Sequence, residues 1–444
     1  MTKIRKFLLS PFYSLLLLLM TLVSIITGNE VVGAIIMAIT GSLCFMLCEN
    51  IMPFIQTALV MICFVIRCKY SFNDFWHYKI LAIPVLIFLC SRFFIYPVKL
   101  KKGSCFWGIF LSSIAVTSGG VGYLIPKQYF SETSVFYIAT LGFGQLLFYC
   151  FFLGEFQKDC YKNLDEDIFR AVVPVIPTLF ICVLQEYISR WSEFTAKMSV
   201  IPFQWRNNSA TILMLAMPFA FYLIKKHWSF ALFAIMDYIT IILSGSRGGL
   251  LFGSLELVIL TVILYKNEKK LRKFIIIFCI FAVLLVIAER KAFLSLISYT
   301  IQRLFSTEEN SIRLELIPRC IADFKANPLF GKGLIYMGNR DVHKSAKFTL
   351  CWYHNSVAQV VGSMGIMGIA GYSFLNFKRV KCFIKSKCPV KTALFLSFIS
   401  LEMMSLVNPG IFAPFPYLTM VTLFFALMDR GGDALSNQKL PLVP

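Results

Sequence analysis

Apolar runs recur from one end of this 444-residue chain to the other, and each approaches the ~20 residues that an α-helix needs to cross a bilayer. Because the hydrocarbon core has no water to satisfy backbone amides, such runs fold as helices. They lack the alternation that is typical of barrel strands. A composition of 58% hydrophobic and 15% charged residues excludes an ordinary soluble protein. The sequence therefore predicts an all-α, polytopic integral membrane protein.

Hydropathy predicts about fourteen spans, with boundary errors of several residues. The predicted starting points are Phe7, Val31, Ile51, Lys79, Cys105, Thr133, Ile168, Ser209, Trp228, Leu250, Arg272, Asn355, Thr392 and Ile411. The second and third spans are poorly separated, so a count of about twelve stays open. The first run exceeds the apolar part of a signal peptide, about 7–15 residues, and is interpreted as a retained span. Residues 1–444 are predicted to form a single polytopic domain.

A net charge of +20 arises from lysines and arginines in short loops between the apolar runs. Cytoplasmic loops are enriched in these residues, so the charge predicts orientation, and we expect no nucleic-acid partner. The basic segments are the N-terminus, Lys99–Lys102, Lys225–Lys226, Lys266–Lys273 and Lys378–Lys391. They all fall on one side, which is predicted to be cytoplasmic together with both termini. Arg67 and Lys69 violate the pattern.

One long segment, residues 291–353, is predicted to lie on the outer side. Loops longer than about 12–15 residues are usually functional or disordered, and apolar residues at helical spacing favour order here. Ala292–Phe305 and Ile312–Phe324 are predicted to be amphipathic helices that lie on the membrane or cap a cavity. Whether Cys320 and Cys351 form a disulfide stays open, because nothing in the sequence fixes their separation.

The sequence Ser244-Gly245-Ser246-Arg247-Gly248-Gly249 lies between two apolar runs. Small residues let a backbone approach a ligand closely, and successive exposed amides form anion-binding nests. The guanidinium group of Arg247 adds donors that suit phosphate oxygens. An equally weighted alternative is a tight turn whose arginine extends to lipid headgroups, since a lone glycine-rich turn is a weak signal.

Two further basic residues are candidates for chemistry on the outer side. His354 begins an apolar run directly after the long loop, and a histidine that titrates near neutrality can accept a proton from a hydroxyl. The alternative, which the residues alone favour, is an interfacial histidine in an aromatic belt with Trp352 and Tyr353. Arg313 is one of several basic residues in the outer loop, and alone it is more typical of a solvated face.

Other polar residues give weaker signals. Asp237, Glu256 and Glu402 lie inside apolar spans, where carboxylates are costly and are functional candidates by default. Buried structural pairs are the alternative, and the sequence names no partner for any of them. The outer segment from Tyr187 to Asn208 mixes aromatic, amide and guanidinium groups, a composition that is common both at sugar-binding surfaces and at membrane interfaces.

Taken together, these motifs resemble the O-antigen ligase/polymerase superfamily of bacterial membrane glycosyltransferases. The motifs are the Ser244–Gly249 turn, Ile312-Arg313-Leu314, Asn327-Pro328-Leu329-Phe330-Gly331-Lys332-Gly333, His354-Asn355-Ser356, and the stretch with Gly362, Gly365 and Gly368. Gln204-Trp205-Arg206-Asn207-Asn208 ahead of Met217-Pro218 is also similar to the family pattern. The recognisable part covers residues 200–375, and the N-terminal half matches only in hydropathy.

The resemblance implies a multi-span fold of the GT-C kind and a substrate class, glycans assembled on undecaprenyl diphosphate and used on the outer face of the bacterial cytoplasmic membrane. It assigns Arg247 and Arg313 to the diphosphate and His354 to activation of the acceptor. The substrate-binding candidates are Ser246, Gly248, Arg206, Asn207 and Asn355. No metal or other cofactor is expected, because fixed guanidinium groups can stabilise the leaving diphosphate.

The acceptor separates two functions within this family. We favour a polysaccharide polymerase, because nothing in the chain marks a dedicated lipid A core or protein acceptor, and keep an O-antigen ligase as the alternative. A lipid-linked oligosaccharide transporter would share the hydropathy, but transporters often show internal repeats, and no repeat is visible. A membrane scaffold would leave the motifs unexplained. The expected partners are the lipid bilayer, a lipid-linked glycan, a glycan acceptor, a flippase and a chain-length regulator.

Overall fold

The computed structural model describes residues 2–67, 77–120, 132–161, 163–197, 201, 203, 205–288, 290, 298, 307–334, 353–385, 389–408, 410–412 and 414–430. Every regular element in these ranges is helical, which confirms the predicted all-α architecture. The chain divides into two compact units. The first contains Met1–Val98 and Asp159–Leu304, and the second contains Lys99–Lys158 and Phe305–Pro444.

The first unit is built from two groups of consecutive helices. The N-terminal group is α1 (Thr2–Leu8), α2 (Pro11–Ile26), α3 (Glu30–Leu47), α4 (Met52–Arg67) and α5 (Ala82–Ile95). The later group is α9 (Leu164–Val172), α10 (Val175–Ser189), α11 (Trp191–Lys197), α12 (Arg206–Ile224), α13 (Phe230–Ser244), α14 (Arg247–Asn267) and α15 (Arg272–Ala288).

The second unit combines a short early group with the C-terminal helices. Its early members are α6 (Phe106–Ser118), α7 (Glu132–Ala139) and α8 (Gln145–Glu155), with a π-helical turn at Thr140–Gly144 between the last two. Its later members are α16 (Thr307–Ala326), α17 (Ser356–Ile384), α18 (Pro389–Ser405) and α19 (Thr419–Asp429).

Each predicted span coincides with one of these helices or with two consecutive ones. By length and composition, five helical stretches of the described chain can cross a membrane: Glu30–Leu47, Leu164–Ser189, Arg206–Ile224, Arg247–Asn267 and Ser356–Ile384. Shorter apolar helices accompany them at Pro11–Ile26, Met52–Ile66, Phe106–Ser118, Phe230–Ser244 and Pro416–Asp429. The fold is therefore that of a polytopic integral membrane protein.

Helix α12 is the centre of the first unit. All its residues from Ser209 to Phe221 are buried, as expected for a helix that is apolar on every side. It packs against α9, α10, α13 and α14. The hydroxyl groups of Ser209 and Thr211 donate to the backbone carbonyls of Arg206 and Asn207, so the polar groups at the start of the helix are satisfied locally.

Ion pairs gather the basic loops of the first unit at one end of α12. The ammonium group of Lys225 lies 3.5 Å from the Glu268 carboxylate, and that of Lys226 lies 3.7 Å from the Glu166 carboxylate. These pairs place the α12–α13 and α14–α15 loops on the same side, as the charge pattern predicted. Arg206 begins α12 at the opposite end, about 28 Å away at 1.5 Å per residue, which is close to the ~30 Å hydrocarbon thickness.

Helix α17 is the long element of the second unit. Its 29 residues, which include a break at Gly365, exceed the ~20 residues that an α-helix needs to cross a bilayer. It packs closely on α6: a Cβ at Gly108 would lie 2.8 Å from the Leu375 Cα, and one at Gly371 would lie 3.0 Å from the Leu111 carbonyl oxygen. Small residues that allow such approach are typical of packed membrane helices.

Asp429 joins three helices at the C-terminal end of α17. Its carboxylate accepts hydrogen bonds from the Tyr149 and Ser104 hydroxyls and from the Cys105 amide, and the Cys382 thiol lies 3.2 Å away. A carboxylate at the N-terminus of α6 is also favoured by the helix dipole. The basic segment that precedes α6 therefore lies at the end of α17 opposite to its start.

Candidate active site

The glycine-rich turn between α13 and α14 has a defined capping geometry. Gly245 ends α13 in a left-handed conformation, with φ +66° and ψ 18°, which glycine adopts without steric cost. Ser246 is the N-cap of α14, and its hydroxyl accepts a hydrogen bond from the Gly249 amide at 3.1 Å. The local sequence thus makes a sharp reversal that places Arg247 as the first residue of α14.

The structure brings the starts of α12 and α14 together. The Ser246 hydroxyl donates to the Asn207 side-chain oxygen at 2.8 Å, and a Cβ at Gly249 would lie 2.6 Å from the Ala210 Cβ. Two predicted binding residues that are far apart in sequence are therefore in direct contact. An arginine opens each helix, Arg206 for α12 and Arg247 for α14.

This arrangement concentrates positive potential at one place in the first unit. The first amides of a helix have no intrahelical acceptor, and the macrodipole adds partial positive charge at that end. The N-cap residue of α12, Trp205, makes no side-chain cap hydrogen bond. With two helix starts and two guanidinium groups, the paired helix starts (Arg206, Asn207, Ser246, Arg247 and Gly248) have the chemistry of an anion-binding site.

The segment from Tyr187 to Asn208, which the sequence predicted to be on the outer side, contacts the end of α13 next to this turn. The Tyr187 hydroxyl donates to the Leu243 carbonyl oxygen at 2.8 Å and lies 3.4 Å from the Ile201 amide. The rings of Phe203 and Trp205 are 4.3 Å apart, centroid to centroid. Tyr187 therefore ties the end of α10 to the end of α13, and the aromatic residues adjoin the start of α12.

His354 lies at the start of α17 in the second unit. It has φ +52°, a left-handed conformation that non-glycine residues rarely adopt. Asn355 is the N-cap of α17: its side-chain oxygen accepts from the Ala358 amide at 3.0 Å, while its amide group donates to the Leu406 carbonyl at 2.9 Å. The predicted binding residue Asn355 is thus used to anchor the helix start, with the half-buried His354 immediately before it.

Two glycine-containing motifs interlock in the second unit. The amides of Lys332 and Gly333 donate to the Gly362 and Ser363 carbonyls, each at 2.9 Å. In the opposite direction, the Ile366 and Met367 amides donate to the Pro328 and Leu329 carbonyls at 2.8 and 3.1 Å. We call this loop-to-helix contact, residues 327–333 against 362–367, the backbone clasp. The backbone clasp gives both motifs a structural role, because each supplies the hydrogen-bond partners of the other. The spacing of the residues within each motif did not predict this contact.

The backbone clasp requires a break in α17 at Gly365. This residue has φ +59° and ψ −148°, a region that is essentially restricted to glycine. A Cβ there would lie 2.4 Å from the Pro328 carbonyl oxygen. The helix opens at this point, and the carbonyls and amides released by the break are the groups that pair with the 327–333 loop.

We predict that Gly365→Ala strongly destabilises the protein. Backbone strain alone costs about 1–3 kcal/mol, and the overlap with the Pro328 carbonyl adds to this cost. Thermal unfolding of the detergent-solubilised protein measures the effect. Gly28→Ala is the matched control, because Gly28 also has positive φ (+69°) but has no atom within 4 Å of the new Cβ. Equal melting temperatures for the two variants would show that the clasp does not constrain Gly365.

Arg313 lies within α16, so the helix predicted over Ile312–Phe324 is confirmed and is longer than expected. The other predicted outer helix, Ala292–Phe305, lies outside the described residues. Cys320 is a buried free thiol that donates to the Ala358 carbonyl at 3.2 Å, and Cys351 lies outside the described residues. Burial, with the nearby Asp323 carboxylate, raises the pKa of the Cys320 thiol to about 11.

The intramembrane carboxylates acquire neighbours that the sequence did not name. Glu402 lies 3.9 Å from the Arg379 guanidinium, so these residues form a pair within the second unit. Asp237 on α13 is completely buried and interacts electrostatically with Glu256 on α14. Its carboxylate oxygens have no hydrogen-bond partner among the described residues. Glu402 is thus paired with a cation, as the structural alternative expected, whereas Asp237 and Glu256 are two acidic side chains and do not form such a pair with each other.

The predicted site residues fall into two groups. Arg206, Asn207, Ser246, Arg247 and Gly248 share one end of the first unit. The second unit contains Arg313, His354 and Asn355. Convergence of all three predicted catalytic residues therefore stays a prediction. Sequence reasoning missed Asp323 and interpreted Tyr353 as part of an interfacial belt, although these two are hydrogen-bonded to each other directly beside His354.

The fold and these helix starts define a class, a polytopic membrane protein with clustered basic residues at helix ends. Residues 228–373 match the family model described as O-antigen ligase, and the resemblance inferred from the motifs is confirmed. The match covers less than half of the chain and supports an O-antigen ligase/polymerase-like family, whose members are glycosyltransferase-like enzymes with lipid-linked glycan substrates. No curated protein matches the chain in a sequence search.

Proposed function

We propose that this protein polymerises oligosaccharides that are linked to undecaprenyl diphosphate, on the outer face of the bacterial cytoplasmic membrane. The observation that carries the proposal is the contact between the starts of α12 and α14. This contact brings two helix N-termini and two arginines together. Their positive charge attracts anions, and a diphosphate is strongly negative.

The donor diphosphate binds at the paired helix starts in this mechanism. The planar guanidinium group of Arg247 makes two parallel hydrogen bonds to phosphate oxygens. Arg206, Asn207 and the amide of Gly248 supply further donors, and Ser246 holds the two helix starts together through Asn207. Arg313 contributes a third guanidinium group to the diphosphate, as the family resemblance implies.

The chemical step is a displacement at the anomeric carbon of the donor sugar. The acceptor hydroxyl oxygen forms a bond to that carbon, and the bond between the carbon and the diphosphate oxygen breaks. His354 takes the proton of the hydroxyl as a general base, and undecaprenyl diphosphate leaves with the bonding electron pair. Positive groups fixed near the leaving oxygen stabilise its developing charge without reorganisation.

The guanidinium groups supply the charge that a metal ion provides in other glycosyltransferases, so we propose a mechanism that needs no metal. Residues 1–444 act as one polytopic domain, and residues 200–375 carry its reactive groups. Candidate partners are a flippase that delivers the donor and a chain-length regulator, besides the bilayer and the glycan acceptor.

The outward orientation is supported separately in each unit. In the first unit, Arg206 lies at the end of α12 opposite to the lysine-rich loops around Lys225 and Lys266. In the second unit, His354 lies at the start of α17. Lys381 and the contact between Cys382 and Asp429 lie at the other end of this helix. Because lysine-rich loops are enriched on the cytoplasmic side, both arrangements support the proposal that Arg247 and His354 face the outer side.

Cysteine labelling tests this orientation. A cysteine at Gly248 should react with a membrane-impermeant maleimide applied to intact spheroplasts, whereas a cysteine at Lys381 should react only after permeabilisation. The native cysteines require a background in which the exposed thiols are replaced, notably Cys90 and Cys279. The reverse labelling pattern would place the arginines inside and would remove the proposed mechanism.

Reconstitution tests the activity itself. Purified protein in nanodiscs is supplied with an undecaprenyl-diphosphate-linked repeat unit from the organism's own polysaccharide, in the presence of EDTA. We expect a ladder of longer lipid-linked glycans together with free undecaprenyl diphosphate. In a parallel assay with sealed proteoliposomes, an unchanged donor that crosses the membrane would identify a transporter.

An O-antigen ligase is the second candidate, because the matching family model carries that description. The same arginine and histidine groups would then transfer the complete glycan to a lipid A core or another acceptor. Adding such an acceptor to the reconstituted system separates the two functions. A single glycan transfer to the acceptor without ladder formation would favour the ligase.

A further inference from the structure

We propose that Tyr353 and Asp323 are positioning residues that hold His354 in its reactive place through a hydrogen bond between the α16 helix and the start of α17. The inference rests on the proposed function, in which His354 is the base. It assigns a role to two residues that no motif singles out, and it connects the helix that bears Arg313 with the histidine.

Tyr353 is fixed at three points. Its hydroxyl donates to the Asp323 carboxylate, its backbone amide donates to the Gln359 side-chain oxygen at 3.0 Å, and its ring lies against Gly362, where a Cβ would come within 2.8 Å. Only 2% of the residue is exposed. A tyrosine held at its hydroxyl, ring and backbone leaves the residue that follows it little freedom.

Asp323 is the centre of a buried charged group. It is 3% exposed, and its carboxylate lies 3.4 Å from the Lys332 ammonium and 3.4 Å from the Arg319 guanidinium. A buried carboxylate is stable when it is paired and hydrogen-bonded, and here two cations and the Tyr353 hydroxyl meet that need. Lys332 also belongs to the backbone clasp, so the carboxylate links α16, the clasp and α17.

His354 is held between two anchored neighbours. Tyr353 precedes it, and Asn355, which caps α17 and bonds the Leu406 carbonyl, follows it. The positive φ of His354 costs free energy and persists when the surrounding structure over-determines it. The two anchors supply that constraint, and a base that must meet an acceptor hydroxyl within hydrogen-bond distance benefits from it.

Tyr353→Phe and Asp323→Asn test the inference. The first removes the hydroxyl and keeps the ring, and the second removes the charge and keeps the shape. A 1 Å displacement of a reacting group can cost about 100-fold in rate, so we expect kcat to fall about 10- to 100-fold with donor affinity retained. Asp323→Asn also removes the ion pairs with Lys332 and Arg319, so it should be the worse single variant, and the double variant should lose no more than Asp323→Asn alone.

Tyr149→Phe is the matched control, since the Tyr149 hydroxyl donates to Asp429 in the same unit but at the far end of α17. It removes the same kind of bond, so its melting temperature should fall as much as that of Tyr353→Phe while kcat stays unchanged. Equal kcat losses in the two variants would indicate a general structural effect. Wild-type kcat in Tyr353→Phe would overturn the inference.

A readout without turnover separates this inference from the proposed function. Diethyl pyrocarbonate modifies accessible histidines, and mass spectrometry measures its rate at His354. We expect faster modification in Tyr353→Phe than in the wild type and no change in Tyr149→Phe. Altered reactivity in a protein that makes no glycan would refute the proposed function alone. An unchanged rate together with wild-type kcat would refute the positioning role.

Discussion

Replacing His354 with alanine should abolish glycan ladder formation while the protein still binds its lipid-linked donor. General-base contributions typically reach about 10²–10⁴-fold, and the acceptor hydroxyl would lose the group that takes its proton. His354→Asn is the companion variant, because asparagine tolerates the left-handed backbone that His354 adopts. It keeps the helix start unstrained and removes the titratable group.

The measurement combines ladder length on gels with donor binding to the purified variants. His227→Ala is the control, because His227 lies in the α12–α13 loop at the lysine-rich end of the first unit. It should leave both quantities unchanged. The amount of protein in the membrane should be equal among the variants, because His354 precedes α17 and is not needed for the insertion of any span. Full-length polymer at the normal rate in His354→Ala would return this histidine to an interfacial role.

Hydropathy was sufficient to predict the helical framework. The residue patterns are local, and each span needs about 20 apolar residues, so the predicted starts near Val31, Arg272 and Asn355 lie within one residue of α3, α15 and α17. Interruptions inside a span were not predictable in the same way. The break at Gly365 depends on the loop at 327–333, which is distant in sequence and bonds through backbone groups that every residue has.

In the candidate site, too, local features were predictable from the sequence and tertiary contacts were not. Small residues around Arg247 predicted a turn suited to anions, and the turn is present with Gly245 in a left-handed conformation. The contact between Ser246 and Asn207 is tertiary and joins residues that are 39 positions apart, so no local spacing predicts it. Asp323 and Tyr353 are likewise 30 residues apart, and neither residue type is unusual in its local context. A buried aspartate next to a conspicuous motif is a signal that only the fold makes visible.

Replacing Arg247 with lysine should separate donor binding from the later chemistry. Lysine keeps the positive charge but presents a single ammonium group, whereas the guanidinium fork makes two parallel hydrogen bonds to a phosphate. Each lost charge-assisted hydrogen bond is worth about 1.5–3 kcal/mol, which corresponds to a roughly 10- to 100-fold weaker donor affinity. An Arg313→Lys variant should show the same defect if both arginines hold the diphosphate.

Arg272→Lys is the matched control for Arg247→Lys. Arg272 is also the first residue of a helix, but it belongs to the lysine-rich end of the first unit and donates to the Tyr265 and Lys266 carbonyls. Donor affinity, measured with a fluorescent undecaprenyl-diphosphate glycan in nanodiscs, should fall in Arg247→Lys and stay unchanged in Arg272→Lys. Both variants keep a positive charge at a helix start. A lower donor affinity in Arg247→Lys than in Arg272→Lys would therefore show that the paired starts of α12 and α14 bind the donor. Equal affinity in Arg247→Lys and the wild type would show that the arginine meets lipid headgroups, as the alternative interpretation of the turn holds.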